Sequence, residues 1–225
     1  MTVRLEDLLI EIHEIFNTNN ISHQFGGILA LNYYFQQRAT EDIDINTSVP
    51  VNEIDRITNI LAELGIEKIH QERLIPDAGI RYQKEWIKVD IFPSFDRRHN
   101  LCKQRAVMQQ WRYSGGTMEI PFLSLEDIII FKISFGRPKD WLDLENLVQS
   151  QNVSKIDIDY IEKELVAFKG KTIYPRFAHF NILLKKYSFN SKLTTSRGGC
   201  GQIVASTGLP CLLRPDHKPP YRSVL

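Results

Sequence analysis

One order of local features constrains this chain more than any other. A short apolar segment at 22–25 runs into Gly26-Gly27, a stretch of helical spacing follows, and Asp42-Ile43-Asp44 then sits inside an alternating run at 40–47. Two glycines end an extended segment in a tight turn, because a residue without a side chain reaches backbone angles that others avoid. In 28–37, Leu29 and Tyr33, with Leu31 and Phe35, recur as one face of a helix would. In 40–47, Ile43 and Ile45 fall on one face and Asp42, Asp44 and Asn46 on the other, the pattern of a half-buried strand. A second strand-like segment, 86–92, carries Asp90 between Val89 and Ile91. If the two strands are neighbours, three carboxylates leave the same face.

The remaining pattern builds a domain around that unit. Leu5, Leu8, Leu9, Ile12, Ile15 and Phe16 give an amphipathic helix closed by the Asn-rich stretch 17–20. A helix at 52–64 stops at Gly65, and strands are predicted at 67–72 and 79–84. Beyond Pro93 the spacing turns helical, apart from a strand or hairpin at 112–120 about Gly115-Gly116. Ser124, three residues before Asp127, caps a helix over 128–135, and further helices are predicted from Pro138 or Lys139 to Gln149 and over 157–168. The front half is thus α/β and the back half helical, the change falling within 93–123. From 194 onward Ser, Gly and Pro dominate without an amphipathic period, and 194–225 is expected to be a poorly ordered tail.

Composition bounds the partners less tightly. With 43% hydrophobic and 24% charged residues the chain is an ordinary globular one, and a net charge of +1 supplies no global field for a polyanion, which would need a local patch. Cys102, Cys200 and Cys211 show no metal-ligand spacing and leave an odd thiol, which suits a reducing, cytoplasmic setting. Glu6, Asp7, Glu11 and Glu14 interrupt any signal-peptide core, and no stretch reaches the roughly 20 apolar residues of a membrane span, so no membrane partner is expected. The histidines lack paired ligand spacing, and neither a P-loop nor a serine nucleophile elbow is present. Trp86, Trp111 and Trp141 fall in apolar segments and are expected in the core.

Asp42 and Asp44, two residues apart on a strand, can converge on a hard cation such as Mg²⁺ or Mn²⁺. Asp90 as a third carboxylate admits a second ion. A two-ion site lowers the pKa of an attacking hydroxyl and neutralises a leaving phosphate, which is what phosphoryl and nucleotidyl chemistry needs. Gly26 and Gly27 let a polyphosphate approach the backbone, and the helix opening at Ile28 offers free amides. Singly, a Gly-Gly turn is usually only a turn and an Asp-x-Asp strand only a solvated face. Their joint order points to a site.

Residues 25–31 (Phe-Gly-Gly-Ile-Leu-Ala-Leu) followed by 38–45 (Arg-Ala-Thr-Glu-Asp-Ile-Asp-Ile) resemble the front half of bacterial minimal nucleotidyltransferases of the DNA polymerase beta superfamily, among them the AbiEii abortive-infection toxins. The resemblance extends through Ser124-Leu125-Glu126-Asp127, Lys132, Arg137-Pro138-Lys139-Asp140 and Asp143, and so covers roughly 20–150. It implies an α+β fold, a polymerase beta-like mixed sheet with flanking helices and a helical C-terminal part. The catalytic domain would span 1–120, with the helical region 121–193 packing on it. It further implies Gly26 and Gly27 as holders of the nucleotide phosphates and Asp42, Asp44 and Asp90 as metal-binding catalytic residues. Lys132 and Lys139 would be cationic partners of the triphosphate, with Asp140 buttressing the nucleotide-binding set. Gly27 stands where many members carry Ser, which removes one hydroxyl contact to phosphate. The implied reaction transfers a nucleotide from a nucleoside triphosphate to an RNA, protein or small-molecule acceptor, in a toxin with an antitoxin partner. The competing expectation is a noncatalytic nucleotide-binding or interaction module on the same fold.

Overall fold

The computed structural model describes residues 2–34, 38–69, 79–94, 97–150 and 156–195, without the side chains of 97–100 and 188–195. In chain order the elements are α1 (Leu5–Thr18), β1 (His23–Phe25), α2 (Gly27–Leu31), β2 (Asp42–Pro50), α3 (Ile54–Glu63), β3 (Glu67–Lys68), β4 (Ile80–Lys84), β5 (Ile87–Ser94), α4 (Arg97–Gln104), β6 (Val107–Tyr113), β7 (Gly116–Phe122), α5 (Leu125–Phe135), α6 (Pro138–Gln149), α7 (Ile158–Lys169) and α8 (Tyr174–Thr195). This is the expected α+β mixed sheet with flanking helices and a helical C-terminal part. Among the described residues seven strands form one sheet in the order β3-β4-β5-β2-β1-β7-β6. The pairs β2–β5 and β1–β7 are parallel and the others antiparallel.

Register decides what each face carries. Ile43 lies opposite Val89 and Ile45 opposite Ile91, while Tyr82 and Ile80 of β4 continue those rows. All six are at most 4% exposed and form an apolar face. Phe25 and His23 of β1 extend it beside Ile45 and Thr47. α1 packs here through His13 and Phe16, whose rings meet His23, and α3 touches it where Thr58 hydrogen-bonds the Tyr82 hydroxyl at 2.8 Å. The opposite face carries the alternate residues Asp42, Asp44, Asn46 and Asp90.

Several elements differ from their sequence expectation. α2 ends at Leu31, short of 37, because the Asn32 side chain takes both backbone groups of Arg38: its Oδ1 accepts from the amide and its Nδ2 donates to the carbonyl. That closure turns the chain toward β2; 35–37 lie outside the described residues. The hairpin spans 107–122, longer than expected, since β6 is an edge strand in which alternate residues such as Met108 stay exposed. β3 covers only Glu67–Lys68, the rest of that expected strand lying mostly outside the described residues. The Ser124 hydroxyl does cap α5, accepting from the Asp127 amide at 3.2 Å. α8 was not separately foreseen and runs to Thr195, and the remaining tail, 196–225, is outside the described residues. Trp86, expected in the core, is 42% exposed in the β4–β5 turn. Among the described residues no helix is long and apolar enough to cross a membrane.

A buried histidine pair links α1 to β1. His13 Nδ1 and His23 Nε2 share a hydrogen bond at 2.9 Å, and His23 Nδ1 donates to the Ile21 carbonyl. Burial pushes the His23 imidazole down to about 4. The folded state therefore holds it neutral, and stability present above the unfolded value near 6.5 is lost as pH falls toward 4. Chemical denaturation should show about 2 kcal/mol lost between about pH 7 and 5 in excess of that in His23→Gln. Parallel pH profiles of the two proteins would contradict this.

Candidate active site

The polar face of the sheet is where sequence and register meet. Asp44 lies directly opposite Asp90 across the parallel β2–β5 pair, and Asp42 is one pleat earlier on β2. Their side chains therefore rise from the same face. Above them, α2, α5 and the start of α6 enclose a cavity of about 420 Å³. Gly26, Gly27, Asp42, Asp44, Asp90, Lys132, Lys139 and Asp140, singled out in the sequence, all line it.

Gly27 is fitted to this place for a reason its missing hydroxyl did not suggest. Its φ of +58° is left-handed, and a Cβ there would sit 1.8 Å from Asp44 Oδ2. The Asp44 carboxylate fills the space a side chain at 27 would need. The Gly26 amide donates to the Asp44 carbonyl at 2.8 Å, fixing the turn against β2. α2 has only five residues, so its dipole is weak, and it offers a phosphate little beyond its first amides.

The sheet side of the cavity is acidic. Burial, then the charges of Asp90 and Asp42, push the Asp44 carboxyl up to about 6, although Lys132 and Lys139 pull it back in part. Asp90 is not open in the same way, because Arg81 grips it as a fork, Nε to Oδ1 at 2.7 Å and Nη2 to Oδ2 at 2.6 Å. Among the described residues no three carboxylate, imidazole or thiol groups are gathered around one ion position. The donor set still suits a hard cation. Asp42 and Asp44 supply carboxylate oxygens, and the next residue on that face, Asn46, has a buried Oδ1 with no hydrogen-bond partner.

The helical side is basic, and α6 organises it. Asp143 bridges two cations, with Lys132 Nζ 2.6 Å from Oδ2 and Arg38 Nη2 2.9 Å from Oδ1. Asp140, one helical turn earlier and 1% exposed, takes the fork of Arg137 at 2.7 and 3.1 Å and lies 3.6 Å from Lys132. Asp140 also accepts from the Arg137 amide, closing the first turn of α6. The place of Asp140 is thus behind the cations, which it aims. Lys132 is 8% exposed, a burial that a lysine tolerates only with such partners. Lys139 stands exposed at the rim.

Arg81, Arg137 and Asp143 thus join the site without having been singled out for a role in it, and Arg38 reaches α6 as well as leading into β2. Arg81 carries no motif; the β4–β5 hairpin register opposite Asp90 was its one available signal.

The sequence pattern of the family described as nucleotidyl transferase AbiEii toxin, type IV toxin–antitoxin system, matches residues 24–195. No curated protein matches the chain in sequence. Solved structures with a similar course include the antibiotic-resistance factor ANT(2'')-Ia, at 15% identity over 84% of this chain and 92% of that one, TM-score 0.43. An antigenic nucleotidyltransferase-like protein from Paracoccidioides brasiliensis shares 17% identity over 77% and 92%, TM-score 0.45. The lincosamide antibiotic adenylyltransferase LnuA shares 17% over 65% and 98%, TM-score 0.42.

Two measurements test this geometry in the metal-free protein. The raised Asp44 carboxyl means stability is lost as pH rises from its ordinary 3.8 through about 6. Asp44→Asn should therefore be more stable than the parent in chelator at about pH 7, by on the order of 2 kcal/mol, the gain vanishing below about pH 4. A destabilised Asp44→Asn would show that the carboxylate is not held against its charge. Gly27→Ala should cost about 1–3 kcal/mol in the same assay, and an unchanged midpoint would mean that Asp44 yields its position freely.

Proposed function

The chain belongs to the AbiEii nucleotidyl transferase toxin family of type IV toxin–antitoxin systems, and we propose that it moves a nucleoside monophosphate from a nucleoside triphosphate to an acceptor hydroxyl, releasing pyrophosphate. The observation that carries this reading is the division of charge within one cavity. On the sheet side, three carboxylates and the Arg81 guanidinium leave two net negative charges. On the helical side, Arg38, Lys132, Arg137 and Lys139 against Asp140 and Asp143 leave two net positive ones. A divalent ion bound to a polyphosphate has the complementary polarity, its cation suited to the sheet side and its phosphates to the helical side.

Asp42 and Asp44 would hold Mg²⁺ or Mn²⁺, which when bound lowers the pKa of the acceptor hydroxyl and neutralises phosphate charge. The triphosphate reaches the first amides of α2 at Gly27, beside the Asp44 carboxylate that fills the space of a side chain there. Lys132, Arg137 and Lys139 bind its oxygens, the first two already aimed by Asp143 and Asp140. The acceptor oxygen bonds to the α-phosphorus as the bond to pyrophosphate breaks.

A second cavity, of about 620 Å³, shares Arg38 and Thr40 with the first and is lined by Tyr33, Trp86 and Trp111 with Arg4 and Arg112. The exposed rings of Tyr33 and Trp86, with Trp111 half-buried beside them, and the neighbouring guanidinium groups suit an RNA end better than a protein or a small molecule, since bases stack on rings and phosphates pair with arginines. We assign the acceptor to RNA on this ground, in a cytoplasmic toxin restrained by an antitoxin partner.

Incubation with α-labelled triphosphates, Mg²⁺ and total RNA should yield labelled RNA, and Asp42→Ala should reduce it by about a thousandfold. Trp86→Ala should lower RNA labelling by about tenfold while leaving triphosphate binding unchanged. Triphosphate binding without any labelled product would instead favour a noncatalytic nucleotide-binding module.

A further inference from the structure

Arg81 stands in the same cross-strand row as the catalytic carboxylates. It lies directly opposite Asp90 across β4–β5, and Asp90 lies directly opposite Asp44 across β5–β2. A guanidinium, a carboxylate and a second carboxylate are thus set side by side on one face by backbone pairing alone. The fork engages both Asp90 oxygens, at 2.7 and 2.6 Å, in the geometry that makes arginine–carboxylate pairs strong and directional. Hydrogen bonding to Asp90 in turn holds the Arg81 guanidinium firmly protonated. Asp90 is 14% exposed at its side chain and Arg81 40%, so the pair sits at the cavity wall with one partner sheltered.

We propose that Arg81 is a built-in cation that takes the place of a second metal ion at Asp90. The nucleotide-free site then accepts one divalent ion, held by Asp42 and Asp44, and Asp90 joins a second ion only when the fork is released. The inference rests on the nucleotidyl-transfer reading and refines it. Charge supports it: with Arg81 in place the acidic side lacks two positive charges, which one divalent ion supplies, whereas a second ion would overfill it unless phosphate arrives as well. Geometry supports it too, because each Asp90 oxygen already accepts an N–H of the fork, which holds the carboxylate turned toward Arg81 and leaves a metal only the second lone pair of each oxygen. Arg81 is thereby a positioning residue that orders metal loading, the second ion following the triphosphate.

Titration of the chain with Mn²⁺ alone, read by calorimetry and by the Mn²⁺ electron-spin signal, tests this without turnover. The parent should bind one ion, and Arg81→Gln should gain a second with affinity raised by about tenfold or more, the scale on which one adjacent charge acts on a carboxylate. Arg81→Lys, which keeps the charge but loses the fork, should fall between them and covers the case in which Arg81→Gln does not fold. Two ions of like affinity in the parent, or an unchanged stoichiometry in both variants, would overturn the proposal. Failure of the parent reading looks different: Asp42→Asn and Asp44→Asn would then leave Mn²⁺ binding unaffected.

Discussion

The parallel pairing of β2 with β5 is the constraint from which the rest follows. Its register sets Ile43 with Val89 and Ile45 with Ile91 on one face, and Asp44 with Asp90 on the other. A slip of one residue in either strand would exchange the faces, placing carboxylates among Leu8, Ile12, Phe16 and Tyr82 and isoleucines in the cavity. Burying an unpaired carboxylate in such a core costs far more than any neighbouring contact returns. Hydrophobic burial therefore selects the register, and the register assembles the acidic side of the site. The fold needs no separate instruction to bring Asp44 and Asp90 together.

Much of this was legible because it depends on short periods. Alternation in 40–47 exposed the two faces of β2, helical spacing gave α1, α3, α6 and α7, and Ser124 marked the start of α5. What escaped depends on pairs far apart in sequence. The Arg38–Asp143 contact spans 105 residues, and although both lie in the stretches that carry the family resemblance, nothing local marks them as a pair. Arg81 is an unremarkable basic residue in a strand until β4 pairs with β5. The length of α2 escaped for a different reason, since a side-chain competitor, Asn32, captured the backbone of Arg38 where helical spacing would have continued. Gly27 was legible as a turn, whereas its close approach to Asp44 was not, because that contact belongs to tertiary structure.

The cavity wall also shows how a chain with almost no net charge can hold a highly charged ligand. Each cation on the helical side except Lys139 is paired with an aspartate of α6, and those aspartates are nearly buried. A buried carboxylate behind a cation lowers the cost of keeping Lys132 inside and fixes its rotamer before any ligand arrives. The same pairing weakens the field that each cation projects, so the gain is in preorganisation, with orientation settled in advance at the expense of raw attraction. On the sheet side the compromise runs the other way. Arg81 quiets Asp90, but Asp44 remains pressed against Gly27, its carboxyl pKa raised by burial and then by the charges of Asp90 and Asp42. The acidic side is therefore the strained half of the site, and a cation entering there relieves a cost the fold already carries.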